Sequence, residues 1–121
     1  MGLMSCDARI IEGYVHNGRI GVLVEFSLQT SFTAGTPDFK RLAKDIALQV
    51  AAAPAASVEA LLAESFVKDN SLTVGALLGK ASTELGERIL ITRFVRWDTE
   101  HPTGEPSSPP PAAAMRLRRA S

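Results

Sequence analysis

The residues that most often build catalytic and metal-binding sites are scarce in this sequence. Its 121 residues include one cysteine, Cys6, and two histidines, His16 and His101. A single thiol can form neither a disulfide within the chain nor a zinc site of several thiolates, so we expect a cytoplasmic protein without a metal or another cofactor. The sequence also has no phosphate-loop, dinucleotide-binding or nucleophile-elbow glycine motif. These absences predict a protein that is not an enzyme.

Charge of one sign and long apolar runs are lacking as well. The 13 Lys and Arg residues are balanced by 13 Asp and Glu residues. Most nucleic-acid-binding domains carry an excess of basic residues, which this sequence lacks. No stretch approaches the roughly 20 apolar residues of a membrane-spanning helix. We therefore expect neither a membrane nor a direct nucleic-acid partner.

Proline is unevenly distributed and divides the chain in two. Five of the seven prolines lie in residues 98–121, together with an alanine run and a basic cluster. A segment of this composition has too little apolar surface to offset the entropy lost on ordering. The sequence therefore predicts one folded domain over residues 8–97 and a disordered tail over residues 98–121.

Two β-rich segments at the start of the folded domain predict an antiparallel hairpin. Residues 9–16 and 20–28 are separated by the pair Asn17-Gly18, which favours a type I′ turn. Apolar residues alternate along the second segment. The alternation predicts one buried face, made of Ile20, Val22, Val24, Phe26 and Leu28.

The segment after the hairpin predicts three helices. Thr36-Pro37-Asp38 is typical of a helix start, with a capping hydroxyl, a proline at the first helical position and a carboxylate near the positive end of the dipole. Ser57 and Thr73 are candidate caps of two shorter helices. Apolar residues of the first helix recur at helical spacing and predict a buried stripe, with Gln49 among the polar residues outside it. The stripe consists of Phe39, Leu42, Ala43, Ile46, Ala47 and Val50.

β-branched and aromatic residues return in residues 88–97 and predict a last strand. The expected fold class is α+β, with a small three-stranded antiparallel sheet, formed by the hairpin and the last strand, and helices packed on one face. We expect Ile91 and Val95 of the last strand to belong to an uncovered apolar face, where two copies of the chain form a homodimer.

Phe32 lies in the segment between the hairpin and the first helix, among small polar residues. Two interpretations are open. The ring folds back under the first helix as part of the core, or it is exposed as a contact for a partner.

Several stretches resemble the translation elongation factor Ts family. Residues 21–34 contain GVLVE and QTSFTA and are similar to the family signature G-V-L-V-E-x-N-C-x-T-D-F-V-A. Residues 39–47 resemble the helix that follows, residues 66–74 the family's distal helix and residues 85–96 its last strand. The resemblance implies a dimerisation-domain fold of this family and a minimal, single-core member without the family's amino-terminal helical domain. It also implies a partner, the GTPase elongation factor Tu, from which the family releases GDP.

The resemblance further implies which residues contact the partner. In the family, the loop aromatic inserts beside the partner's magnesium and phosphate region, and Phe32 occupies that position here. Ser31 stands where the family has Asp, so the alternative is a degenerate module that binds elongation factor Tu, or the ribosome, without exchanging nucleotide. The expected partner-binding residues are Thr30, Ser31, Phe32 and Thr33 in the loop and Phe66, Lys68 and Asp69 in the distal segment.

Overall fold

The computed structural model describes residues 8–100, which form five strands and four helices. In chain order these are β1 (Ala8–His16), β2 (Ile20–Leu28), α1 (Ser31–Ala34), α2 (Pro37–Ala52), α3 (Val58–Ala63), β3 (Ser65–Phe66), β4 (Asp69–Thr73), α4 (Val74–Leu85) and β5 (Leu90–Asp98). The predicted tail from residue 101 onwards, Cys6 and His101 lie outside the described residues. β5 ends one residue beyond the expected domain boundary.

The main sheet has three antiparallel strands in the order β1-β2-β5. The turn between β1 and β2 has a positive φ at both central residues, 51° at Asn17 and 70° at Gly18. The Arg19 amide closes it by donating to the His16 carbonyl at 2.9 Å. These are the features of the predicted type I′ turn, and the predicted hairpin is confirmed.

α2 covers one face of this sheet and forms the core with it. Its first turn is capped by the Thr36 hydroxyl, which accepts a hydrogen bond from the Phe39 amide at 3.2 Å. The predicted stripe of α2 and the alternate residues of β2 are buried together, and the Phe26 and Phe39 rings meet edge to face at 5.4 Å. The predicted α+β class, with helices on one face of a three-stranded sheet, is confirmed.

Arg96 of β5 closes the carboxyl-terminal end of α2. Its guanidinium donates to the Val50 carbonyl at 3.0 Å and to the Ala51 carbonyl at 2.9 Å. α2 has no basic residue in its own last turn, so this distant side chain provides the positive charge that the helix dipole favours there. The end of the helix is thereby tied to the last strand.

Gln49 is a first correction, since the helical pattern predicted it outside the buried stripe. It is fully buried. Its amide nitrogen donates to Glu64 Oε1 and to the Ser65 carbonyl, both at 3.1 Å, and its oxygen accepts from the Val67 amide at 2.8 Å. The segment from Glu64 to Val67, which contains β3, lies against α2 at this position and supplies all three hydrogen-bond partners.

The β3–β4 hairpin is a second correction, because the resemblance predicted a helix over residues 66–74. The chain instead turns back at residues 67–68, and β4 begins with a short side-chain motif. Asp69 Oδ1 accepts from the Ser71 amide at 3.1 Å and from the Ser71 hydroxyl at 2.6 Å. Such local side-chain bonds compete with helical hydrogen bonding, which explains the extended backbone.

No element within residues 8–100 covers the face of the main sheet opposite α2. Ile11, Leu23 and Trp97 are 56%, 50% and 66% exposed on it, and Val95 lies beside Leu23 in the pairing of β2 with β5. Ile91, which we expected on the same face, is buried opposite Phe26, so that part of the prediction was wrong. The register shift of β5 between the partners of Glu25 and Phe26 changes the alternation and turns Ile91 towards the core.

Within residues 8–100, none of the helices has the length and apolar content that a membrane span requires.

Candidate partner-binding site

The segment between β2 and α2 forms one helical turn, α1, where the sequence analysis expected a loop. Thr30 precedes it in extended conformation and caps it, its hydroxyl accepting from the Thr33 amide at 3.3 Å. The turn ends at Gly35, whose amide donates to the Phe32 carbonyl at 3.1 Å. Two successive capping sequences, Thr30 for α1 and Thr36 for α2, therefore shape the connection.

α1 separates its residues into an inner and an outer side. Thr33 and Ala34 are buried, whereas Ser31 and Phe32 are exposed. The Phe32 side chain is 82% exposed, more than any other large apolar residue that the structure describes. The interpretation of Phe32 as a core residue is therefore wrong, and its exposure, the other interpretation, is confirmed.

Glu87, which lies between α4 and β5, anchors this turn although it is more than fifty residues later in the chain. Its Oε1 accepts from the backbone amides of Gln29 and Thr30, both at 3.1 Å. Its Oε2 accepts from the Thr30 hydroxyl at 2.5 Å and from the Thr33 hydroxyl at 2.6 Å. Both oxygens of one carboxylate thus bind the residues before and after Phe32.

The environment of Glu87 favours its charged form. Partial burial raises the pKa of the carboxyl, but the hydrogen bonds from Thr30, Thr33 and the Gln29 amide outweigh this effect, and the pKa lies below its ordinary value. The carboxylate is therefore ionised at neutral pH, and its bonds to the turn are charge-assisted.

Sequence reasoning missed Glu87 because its partners lie more than fifty residues earlier in the chain. Gly86, with a φ of 73°, ends α4 directly before it. A carboxylate just after the carboxyl-terminal end of a helix faces the negative end of the dipole and is unfavourable unless other donors compensate. The position of this carboxylate directly after a helix end is therefore the signal in the sequence that points to distant hydrogen-bond donors for Glu87.

The three distal residues lie in the β3–β4 hairpin and make their contacts there and with α2. Phe66 is buried, only 5% exposed. Lys68 Nζ lies 2.9 Å from Asp45 Oδ1 of α2. At the start of β4, hydrogen bonds from Ser71 lower the pKa of the Asp69 carboxyl. The exposed residues among these three are therefore Lys68 and Asp69, and the role of all three in binding stays a prediction.

The structure brings the four loop residues together in one turn and the three distal residues together in one hairpin, but it keeps the two groups apart. The loop lies before the first turn of α2, whereas the hairpin contacts Asp45 and Gln49 further along that helix. At about 1.5 Å per helical residue, these contacts are roughly 14–20 Å from the Thr36 cap along the axis. A partner that touches both groups needs a surface of at least this length.

Among residues 8–100, no group of three or more His, Cys, Asp or Glu side chains is placed to hold a metal ion. The groups that the anchored turn exposes are the aromatic ring of Phe32 and the hydroxyl of Ser31 beside it.

Comparison with known proteins identifies the family. A sequence model of the family described as Elongation factor TS matches residues 1–60. The chain is 34% identical, over an alignment of 134 positions, to Elongation factor Ts of Rubrobacter xylanophilus, a match that covers 73% of this chain and 69% of that protein. The chain belongs to the elongation factor Ts family.

Other members of the elongation factor Ts family match over less of their own length. The protein of this name from Myxococcus xanthus is 31% identical over an alignment of 134 positions, and the match covers 74% of this chain and 62% of that protein. The one from Nostoc sp. is 38% identical over 96 residues, which cover 78% of this chain and 30% of that protein. The chain thus spans less than two thirds of the length of these two elongation factor Ts proteins. Residues 1–60, which match the family, include Phe32 and α1 but not Glu87.

Proposed function

We propose that this elongation factor Ts family member binds elongation factor Tu in the cytoplasm and promotes the release of GDP, with Phe32 as the residue that enters the nucleotide site. Family membership supports the partner. The observation that carries the role of Phe32 is its exposure: an 82% exposed phenylalanine at the tip of an anchored turn. Exposed aromatic rings of this kind are typical anchors of protein interfaces.

The physical basis of exchange is reciprocal coupling between two ligands of one protein. If insertion of Phe32 disturbs the site that holds GDP and Mg²⁺, then bound nucleotide weakens the binding of this chain by the same free energy. Such coupling energies are typically about 1–3 kcal/mol. The chain forms no covalent bond in this process, and its contribution is the binding energy of the ring and of the residues around it.

Ser31 bears on whether the chain exchanges nucleotide or binds elongation factor Tu without exchange. It is exposed beside Phe32, and it offers a neutral hydroxyl where the resemblance implies a carboxylate. A neutral hydrogen bond is weaker than a charge-assisted one, so the site retains the apolar contact and loses part of the polar one. We therefore propose exchange that depends mainly on Phe32, with silent binding to elongation factor Tu as the competing function.

The test measures release of fluorescent GDP from purified elongation factor Tu, with excess unlabelled GDP, at increasing concentrations of the full chain. We expect faster release with the unchanged protein, a loss of most of this effect in Phe32→Ala and partial retention in Phe32→Leu, which keeps an apolar side chain. Glu84→Ala, at an exposed position of α4, is the control and should behave like the unchanged protein. Binding without acceleration at saturation would show a silent binder.

We also propose that the chain is a homodimer through the uncovered sheet face. Ile11, Leu23 and Trp97 are each at least half exposed there, and in the same face Glu25 lies between Arg9 and Arg93, at 3.4 and 3.1 Å. A second copy offers the same apolar surface, and two such sheets packed face to face about 10 Å apart would bury both. The partner of this face is therefore another copy of the chain.

A further inference from the structure

The direction of the Phe32 ring depends on the backbone of a very short helix. α1 has four residues, and a single helical turn is unstable on its own because nucleation fixes several dihedral angles for one hydrogen bond. The ring itself is 82% exposed, so packing of the ring contributes little to its position. Something outside the turn has to hold it.

Glu87 satisfies this requirement through both ends of the turn. Oε1 accepts from the amides of Gln29 and Thr30, which precede Phe32, and Oε2 accepts from the hydroxyls of Thr30 and Thr33 on either side of it. The neighbouring Arg88 amide donates to Gln29 Oε1 at 2.8 Å, which adds a contact in the opposite direction. The connection between α4 and β5 thus holds the turn through hydrogen bonds on both sides of Phe32.

We propose that Glu87 is the positioning residue of the Phe32 site. Its carboxylate fixes α1 so that the ring of Phe32 extends from the domain in one direction, ready to enter a partner. Glu87 acts through Thr30 and Thr33 and does not itself touch the partner's nucleotide site. This inference rests on the proposed function and assigns a further residue to it.

A pre-positioned ring binds better than a mobile one because the entropy of ordering is lost before the partner arrives. Removing the carboxylate leaves the Phe32 side chain present but its turn unanchored. The expected result is a protein that still folds, since the Phe26–Phe39 core does not involve Glu87, and that promotes GDP release less well.

The first measurement uses the free chain. We expect faster hydrogen exchange of the Gln29 and Thr30 amides, followed by NMR, in Glu87→Ala than in the unchanged protein, whereas core amides of β2 keep their protection. Glu87→Gln keeps one acceptor oxygen and should show an intermediate effect. Unchanged exchange at both amides in Glu87→Ala would overturn the proposal.

The second measurement is release of fluorescent GDP from elongation factor Tu. Glu87→Ala should lower the acceleration about tenfold, because the Phe32 ring and its turn must then be ordered when the partner binds. Glu87→Gln should restore part of the acceleration, and Glu84→Ala should lose none. In a Phe32→Ala background the same change should have no further effect. Two results would show that Glu87 does not act through Phe32 and would overturn the proposal. One is an equal loss of acceleration when Glu87→Ala is added to Phe32→Ala. The other is unchanged GDP release by Glu87→Ala although its Gln29 and Thr30 amides exchange faster. If the unchanged protein does not accelerate release at all, the proposed function fails, and the amide measurement alone decides whether Glu87 holds the turn.

Discussion

Replacing Phe32 by alanine should have little effect on the stability of the domain. A phenylalanine has roughly 200 Å² of surface, and with 82% of it exposed only about 40 Å² is buried. At about 25 cal/mol per Å², this area contributes about 1 kcal/mol at most, because the unfolded chain also buries part of its surface. We therefore expect Phe32→Ala to lower the free energy of unfolding by less than about 1 kcal/mol.

The matched comparison is Phe39→Ala, seven residues further along. Phe39 is 1% exposed and packs edge to face against Phe26. Removal of such a ring leaves a cavity and typically costs about 3–5 kcal/mol. Urea unfolding followed by circular dichroism measures both free energies under the same conditions, and the difference between the variants should be at least about 2 kcal/mol.

The result that would refute this reasoning is a loss of several kcal/mol in Phe32→Ala. It would mean that the ring packs against the domain in solution, so that a loss of GDP release in the same variant would report unfolding rather than a missing contact. A small loss of stability together with a large loss of exchange would assign the ring to the partner.

Four further outcomes follow from the same structure. Gln49→Leu should lower the free energy of unfolding by about 2–4 kcal/mol in urea, because three hydrogen bonds are lost from a fully buried position; a neutral change would refute the bonding. Since the folded-state pKa of Glu87 is lowered from 4.5, its stabilising effect is complete above that value and is lost as pH falls through the folded pKa. Protection of the Thr30 amide should fall with it, and unchanged protection at a pH where NMR shows the Glu87 carboxyl to be protonated would contradict this. Leu23→Glu should convert a dimer at high micromolar concentration to a monomer in sedimentation, and a monomeric unchanged protein would refute the dimer. Ser31→Asp should speed GDP release by at most about 10–100-fold, the effect of a charged hydrogen bond, and slower release would exclude a family-like docking of the loop.

The elements that the sequence predicted well are those with local causes. The Asn17-Gly18 pair requires a turn with positive φ, and Thr36-Pro37 supplies both a cap and a suitable first residue for a helix. Each signal acts within a few residues, so the hairpin and α2 follow from neighbouring side chains alone. The overall α+β arrangement then follows from pairing the buried faces.

The features that the sequence did not predict depend on contacts between distant segments. Gln49 looks like a surface residue in the helical pattern and is buried because β3 covers it, between 15 and 18 residues later. Glu87 acquires its role from residues 54–58 positions earlier. The exposure of Phe32 likewise depends on distant contacts, since its turn is bonded to Glu87 and the core beneath α2 is already filled by Phe39.

The contact of Arg96 with the carbonyls of Val50 and Ala51 has a consequence for the order in which the domain folds during synthesis. The hairpin and α2 leave the ribosome first, but the positive charge at the end of that helix and the third strand of the sheet come from the last part of the described chain. Until β5 has emerged, β2 lacks one neighbour and the end of the helix lacks its cap. Because these pairings are distant in sequence, we expect the domain to form in one late step after β5 emerges and not progressively as it is made.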